Sequence, residues 1–123
     1  MTANAPAWLR RMRRGRGETP SNPERDLLVA AMIDIGDRLR DRDPALWKRL
    51  NRHLGEVGVE CVIVDGQPYD ERLHDAVGRE PTADADLQKT VASTERAGYV
   101  DRGRVLRSPE VMVYRTEGAG DDA

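Results

Sequence analysis

The sequence has no phenylalanine, one cysteine, two histidines and only two lysines among its 123 residues. Without Phe, the aromatic side chains are Trp8, Trp47, Tyr69, Tyr99 and Tyr114, which excludes a single large aromatic core. A chain so short of core material invites oligomerisation, because small domains bury a smaller share of their surface. A lone cysteine, Cys61, excludes an internal disulfide and suits a reducing compartment. Cys61, His53 and His74 show no Cys-x-x-Cys or His-x-x-x-His spacing, so no metal site is expected and Cys61 reads as a small buried hydrophobe. No apolar run approaches the ~20 residues of a membrane span. Residues 1–17 lack the apolar stretch of a secretory signal, which makes the cytoplasm the expected compartment.

What is present is charge. Charged residues make up 34% and hydrophobic residues 38%, which fits one small domain with an appended helical element. The net charge of -2 conceals an asymmetry: Arg10, Arg11, Arg13, Arg14 and Arg16 precede the first acid, Glu18. The rest is acidic on balance and ends in Asp121-Asp122. The excess of Arg over Lys, with abundant Ala, Gly, Val and Asp, points to a GC-rich bacterial coding bias.

Residues 1–20 read as a basic disordered tail, with Gly15, Gly17 and Pro20 stopping any helix through Trp8, Leu9 and Met12. A helical hairpin is expected over 21–55. Ser21 and Glu24 have capping-box spacing, and Asn22 before Pro23 is an alternative cap. Leu27, Leu28, Ala31, Met32, Ile35 and Leu39 recur at helical spacing, leaving Arg25, Asp37, Arg38 and Arg40 as a wet face. Asp43 and Pro44 open a second helix whose stripe is Leu46, Trp47, Leu50 and Leu54, with Gly55 as terminator. Two short helices are marginal alone. The stripes therefore predict a dimer interface, formed with a second copy as a four-helix bundle.

From Gly58 the period changes, and a small β-rich domain is expected over 56–115, followed by a polar tail over 116–123. The fold class is thus α+β. Val59 to Val64 reads as a strand, Asp65-Gly66 as a turn, and Asp70 as the cap of a short helix running to Gly78. Arg79 to Gln88 reads as a mobile loop. Thr90 to Arg96 is β-like. Tyr99-Val100, a turn at 101–103 and Arg104 to Arg107 predict a hairpin, and Ser108-Pro109 precedes a last strand, Val111 to Tyr114.

Four separated segments occur in a telling order: Tyr69-Asp70-Glu71-Arg72-Leu73-His74-Asp75-Ala76-Val77, Gly98-Tyr99, Gly103-Arg104-Val105-Leu106-Arg107 and Val111-Met112-Val113. Together with Gly58-Val59-Glu60 after a helix, they resemble the signature of the GrpE family. The resemblance covers Gly55 to Arg115 well, and the hairpin before it in kind. It implies a nucleotide exchange factor for DnaK-type chaperones: a dimer with a helical stalk, a four-helix bundle and β-domains, one of which opens the ATPase domain of the chaperone. It makes Asp70, His74, Ala76, Gly98, Tyr99, Gly103 and Arg107 motif residues. Arg104 and Val113 then match chaperone-contact positions, and Glu95 falls where relatives place an apolar contact. Tyr69 and Pro109 depart from the family pattern, Pro109 by removing a backbone donor as an edge position tolerates. Only about twenty residues precede the first helix, so a short-stalk variant is expected and stalk-dependent behaviour is not carried over.

Each of these residues also has a plainer reading. His74 between Asp70 and Asp75 could be a carboxylate-oriented general base, but no nucleophile lies beside it in sequence and the resemblance makes it structural. No catalytic residue and no cofactor are expected. Arg104 could be a solvated strand arginine, and Val113 a core valine. The basic tail could attract nucleic acid or an acidic membrane surface, but without a folded reading element that attraction is non-specific. The readings carried forward are an exchange factor, a chaperone-binding adaptor of the same fold without exchange activity, and a nucleic-acid-associated protein acting through its Arg tail.

Overall fold

The structure, a computed structural model, describes residues 22–117. The basic tail, the Ser21 capping alternative and the chain from residue 118 lie outside the described residues. Two helices, α1 (Pro23–Leu39) and α2 (Pro44–Glu56), precede six strands. These are β1 (Val59–Val62), β2 (Asp75–Thr82), β3 (Val91–Arg96), β4 (Gly98–Asp101), β5 (Arg104–Arg107) and β6 (Glu110–Thr116). The fold is α+β. The described chain divides into two compact units, one of residues 22–61 with Tyr99–Leu106, the other of Val62–Gly98 with residues 107–117.

In the first unit both helices start as their sequences dictate. The Asn22 carboxamide oxygen accepts from the Arg25 N–H at 3.2 Å, and the Asp43 carboxylate accepts from the Leu46 N–H at 3.1 Å. Each cap satisfies an otherwise orphaned donor, and Pro23 and Pro44 occupy first-turn positions where a missing N–H costs nothing. Within one chain the inward face of α1 is Val29, Ile33 and Gly36, which are buried, while Leu27 and Leu28 of the stripe expected to meet a second copy are 72% and 68% exposed. Ala31, Met32 and Ile35 are exposed too, and Leu39 is half-buried. Apolar residues occupy two faces of α1, and a single α2 covers only one of them. Gly36 belongs to the covered face because a Cβ there would stand 2.7 Å from Cδ2 of Leu50. On α2, Leu54 is buried, Trp47 and Leu50 are half-buried, and Leu46 is exposed. Arg25, expected in water, is instead engaged by Asp101. Gly55 does not end α2, which runs on to Glu56. The left-handed residue is Gly58, at φ +92°.

The sheet order in this unit is β1-β4-β5. Val59 and Tyr99 are fully buried. The β4–β5 turn places both central residues at positive φ, Arg102 at +50° and Gly103 at +88°. That is the primed geometry whose twist matches the flanking strands.

The second unit contains the sheet β2-β6-β3, with β2 parallel and β3 antiparallel to β6. Val62, Val64, Val91, Val111 and Val113 are buried in this unit. The Asp65-Gly66 turn forms as expected, with Gly66 at φ +82°. The short helix expected after Asp70 shrinks to one turn, in which the Leu73 and His74 N–H groups both donate to the Asp70 carbonyl at 2.9 Å. From Asp75 the chain is a strand, because pairing of Ala76↔Val111 and Gly78↔Met112 wins over the local helical preference. A bulge lies between Ala76 and Gly78, where a Cβ on Gly78 would meet the Met112 sulfur at 2.7 Å. Most of the expected 79–88 loop is also ordered: Arg79–Thr82 continues β2, and Ala85–Leu87 is a single 3-10 turn capped by Asp84. Pro81 is tolerated because β2 is an edge strand. Thr116 belongs to β6, and its N–H donates to the Gln88 side chain at 2.6 Å. No described helix is long and apolar enough to cross a membrane.

Candidate functional site

The most elaborately supported surface feature of the first unit is the β4–β5 hairpin that presents Arg104. Arg25, in the first turn of α1, grips its base. Its two Nη atoms donate to the two Asp101 carboxylate oxygens at 2.7 and 3.1 Å, and Nη2 also donates to the Val57 carbonyl at 2.7 Å. The Asp101 side chain is only 5% exposed, so the pairing satisfies a carboxylate that water scarcely reaches. Its hydrogen bonds hold the Arg25 pKa above the ordinary arginine value. The Arg102 N–H donates to the Gly58 carbonyl at 2.9 Å. The Arg102 side chain lies over Gly58, where a Cβ would come within 2.9 Å of its Cγ. From α2, Asn51 receives the Tyr99 hydroxyl on its Oδ1 at 2.6 Å. Arg104 itself is exposed, with one contact at ion-pair range, Asp26 Oδ1 at 3.8 Å.

Sequence reading found Arg104, Gly103 and Tyr99 but missed Arg25 with Asp101 and Asn51 with Tyr99. One signal for the first pair was present. A cation in the first turn of a helix opposes the macrodipole, and so asks for an acidic partner elsewhere.

In the second unit, the Asp70 carboxylate accepts from the Arg72 backbone N–H at 2.9 Å and from its Nε and Nη2 at 3.2 and 3.1 Å. These bonds hold its carboxyl below the usual carboxylate range. The Asp70 N–H donates to Nδ1 of the buried His74 at 3.1 Å, and the Tyr69 ring lies 5.9 Å from the imidazole. Burial pushes the His74 pKa down. A carboxylate-oriented general base would donate its Nδ1–H. Here Nδ1 receives, so the proton of the neutral ring is on Nε2 and His74 pins a turn. Ala76 is exposed on β2.

Gly98 is required by Pro109, since a Cβ at 98 would stand 2.6 Å from the proline Cδ and 2.8 Å from its nitrogen. Pro109 is therefore not an edge-strand residue as expected; it is buried, lies before β6, and its carbonyl accepts from the Asp75 N–H at 2.9 Å. Arg107 Nε donates to the Ala97 carbonyl at 2.8 Å. Glu95 is exposed and accepts from the Ser93 hydroxyl at 2.5 Å. Val113 is 4% exposed, a residue of the core of its unit. Cys61 is half-buried rather than buried. Among the described residues, no group of three or more His, Cys, Asp or Glu side chains is placed to hold a metal ion.

Comparison with known proteins gives this arrangement a context. A family model described as GrpE matches residues 43–115, from the cap of α2 into β6. The chain is 30% identical over 92 residues to Protein GrpE of Limosilactobacillus reuteri, covering 75% of this chain and 48% of that protein. It is 33% identical over 95 residues to Protein GrpE of Oenococcus oeni, covering 76% and 48%. To Protein GrpE of a Synechococcus strain it is 40% identical over 78 residues, covering 63% and 32%. The chain thus spans about half the length, or less, of these curated relatives. The matched region holds every motif segment singled out in the sequence, and the chain belongs to the GrpE family.

Proposed function

We propose that the chain is an adenyl-nucleotide exchange factor that binds the ATPase domain of a DnaK-type chaperone and promotes ADP release during protein folding. The observation that carries this reading is Arg104, the exposed cation of a family motif, held on a hairpin whose turn and base are both fixed. A pre-shaped hairpin meets a partner at a lower ordering cost than a mobile one.

Exchange of this kind makes and breaks no covalent bond, so the activity is not enzymatic and needs no cofactor. It is linkage: a protein that binds the open ATPase domain better than the closed one weakens ADP binding by the same factor. A coupling of about 3–4 kcal/mol lowers ADP affinity by two to three orders of magnitude, at roughly 1.4 kcal/mol per tenfold. In this reading Arg104, on the first unit, and Glu95, on the second, meet the chaperone, and Val113 packs in the core of the second unit. The exposed Leu27, Leu28, Ala31, Met32 and Ile35 form the interface of a homodimer. The lone Cys61 and the chaperone partner together favour a cytoplasmic setting.

Stopped-flow release of a fluorescent ADP from the DnaK-type chaperones of the source organism tests the reading. Acceleration by the protein, weakened by Arg104→Ala, is the expected result. Binding without acceleration selects the adaptor of the same fold, a reading that the charged Glu95 at an expected apolar contact favours.

A further inference from the structure

Adjacent residues at the start of α1 reach opposite ends of the β4–β5 turn: Arg25 pairs with Asp101, and Asp26 with Arg104. The two grips differ in strength. Asp26 and Arg104 are 3.8 Å apart with side chains 44% and 64% exposed, a pairing that water and salt loosen. Arg25 and Asp101 form a two-pronged, largely buried pair, and the same guanidinium also takes the Val57 carbonyl at the end of α2. Between Asp101 and Arg104 there are only Arg102 and Gly103, both at positive φ. A two-residue turn of that geometry, closed by the pairing of β4 with β5, couples the placement of its first strand residue to its last, and Arg102 sits in the narrow left-handed well open to a residue with a Cβ.

We infer that Arg25 and Asp101 are positioning residues for partner binding: by fixing the base of the β4–β5 hairpin to α1 and α2, they hold Arg104 in the orientation in which it meets the partner. The inference rests on the exchange reading above and extends it to residues outside the family motif segments. In this role Arg25 acts through Arg104 and not through a contact of its own. Its contribution to binding therefore disappears when Arg104 is absent. A purely structural role would weaken the folded state while leaving the two residues independent in binding.

The test is a double-mutant cycle on the full chain, reading the concentration that gives half-maximal acceleration of fluorescent ADP release from the chaperone. Thermal melting of each variant sets the assay temperature well inside the folded range. Arg104→Ala is expected to raise the half-maximal concentration about tenfold, Arg25→Met by a similar factor, and the double variant no further than Arg104→Ala alone, a pair interaction within the range such cycles report. If Arg25→Met does not fold, Asp101→Asn replaces it, since it keeps the side-chain shape and removes the charge. A double variant weakened by about the product of the two factors, or an Arg25→Met protein that binds like the parent, overturns the inference while leaving the exchange reading intact. An Arg104→Ala protein that accelerates release like the parent overturns the inference and the Arg104 contact while the exchange reading stands; a parent that does not accelerate release overturns the exchange reading.

Discussion

The Tyr99 hydroxyl donates to the Asn51 carboxamide oxygen at 2.6 Å, joining a fully buried strand residue to the middle of α2. The Asn51 amide nitrogen is buried without a hydrogen-bond partner, so this bond is a large part of what the carboxamide gains from its place in the fold. Removing the hydroxyl leaves the oxygen unsatisfied as well. Tyr99→Phe is expected to destabilise the protein by about 1–3 kcal/mol, the desolvation cost of an orphaned polar group. Urea unfolding of the two proteins measures it, and a variant within error of the parent would mean the bond is not formed.

Gly98 and Pro109 make a second such pair. The obstacle to a side chain at 98 includes the proline backbone nitrogen, 2.8 Å from the Cβ position, which has no rotamer by which to move aside. Gly98→Ala is expected to cost about 1–3 kcal/mol through overpacking. Pairing it with Pro109→Ala should return part of the loss, because the ring atom at 2.6 Å is then gone. Strict additivity of the two substitutions in chemical denaturation would count against the contact.

His74 predicts a pH dependence. Burial lowers its folded pKa below the ordinary value of 6.5, so between those two values the unfolded chain binds a proton that the folded chain does not. Stability rises with pH wherever the unfolded state holds more protons. The His74 contribution is therefore complete above about pH 6.5 and is lost as the pH falls towards the lowered folded value. Asp70, whose folded pKa is depressed below 3.8, acts in the same direction at more acidic pH. Urea midpoints should fall between pH 7 and 5 in the parent and fall less in His74→Gln; parallel profiles would assign the effect to other groups.

The uncovered face of α1 predicts association. Leu27 and Leu28 are largely exposed, and Met32 and Ile35 continue the same patch. Burying a Leu is worth about 1.5–3 kcal/mol, enough over several residues and two copies to hold a dimer. Light scattering is expected to give a dimeric mass for the parent and a monomeric mass for Leu28→Asp combined with Met32→Asp. A monomeric parent would remove the bundle from the account.

What could be read in the sequence was local. Asn22-Pro23 and Asp43-Pro44 start helices by chemistry contained in a few residues, and Arg102-Gly103 makes a tight turn for the same reason. What the sequence did not yield was non-local. Asp75 to Thr82 carries helix-compatible residues and a Pro, and becomes a strand because β6, some thirty-five residues on, offers it partners. Apolar periodicity on α1 could not say which of two faces α2 would cover. Arg25 and Asp101 lie 76 residues apart, and no spacing rule connects them. For the candidate site, the motif gave the presenting residue, Arg104, and was silent about what holds it.

The central claim, that binding of this protein and binding of ADP to the chaperone oppose each other, is tested most directly at equilibrium. The affinity of the chaperone ATPase domain for ADP would be measured by calorimetric titration, alone and with this protein at saturation. The account predicts an ADP affinity lower by two to three orders of magnitude, matched by an equal loss of affinity for this protein when ADP is saturating, because the coupling is reciprocal. An ADP affinity unchanged by a saturating, demonstrably bound protein would contradict it.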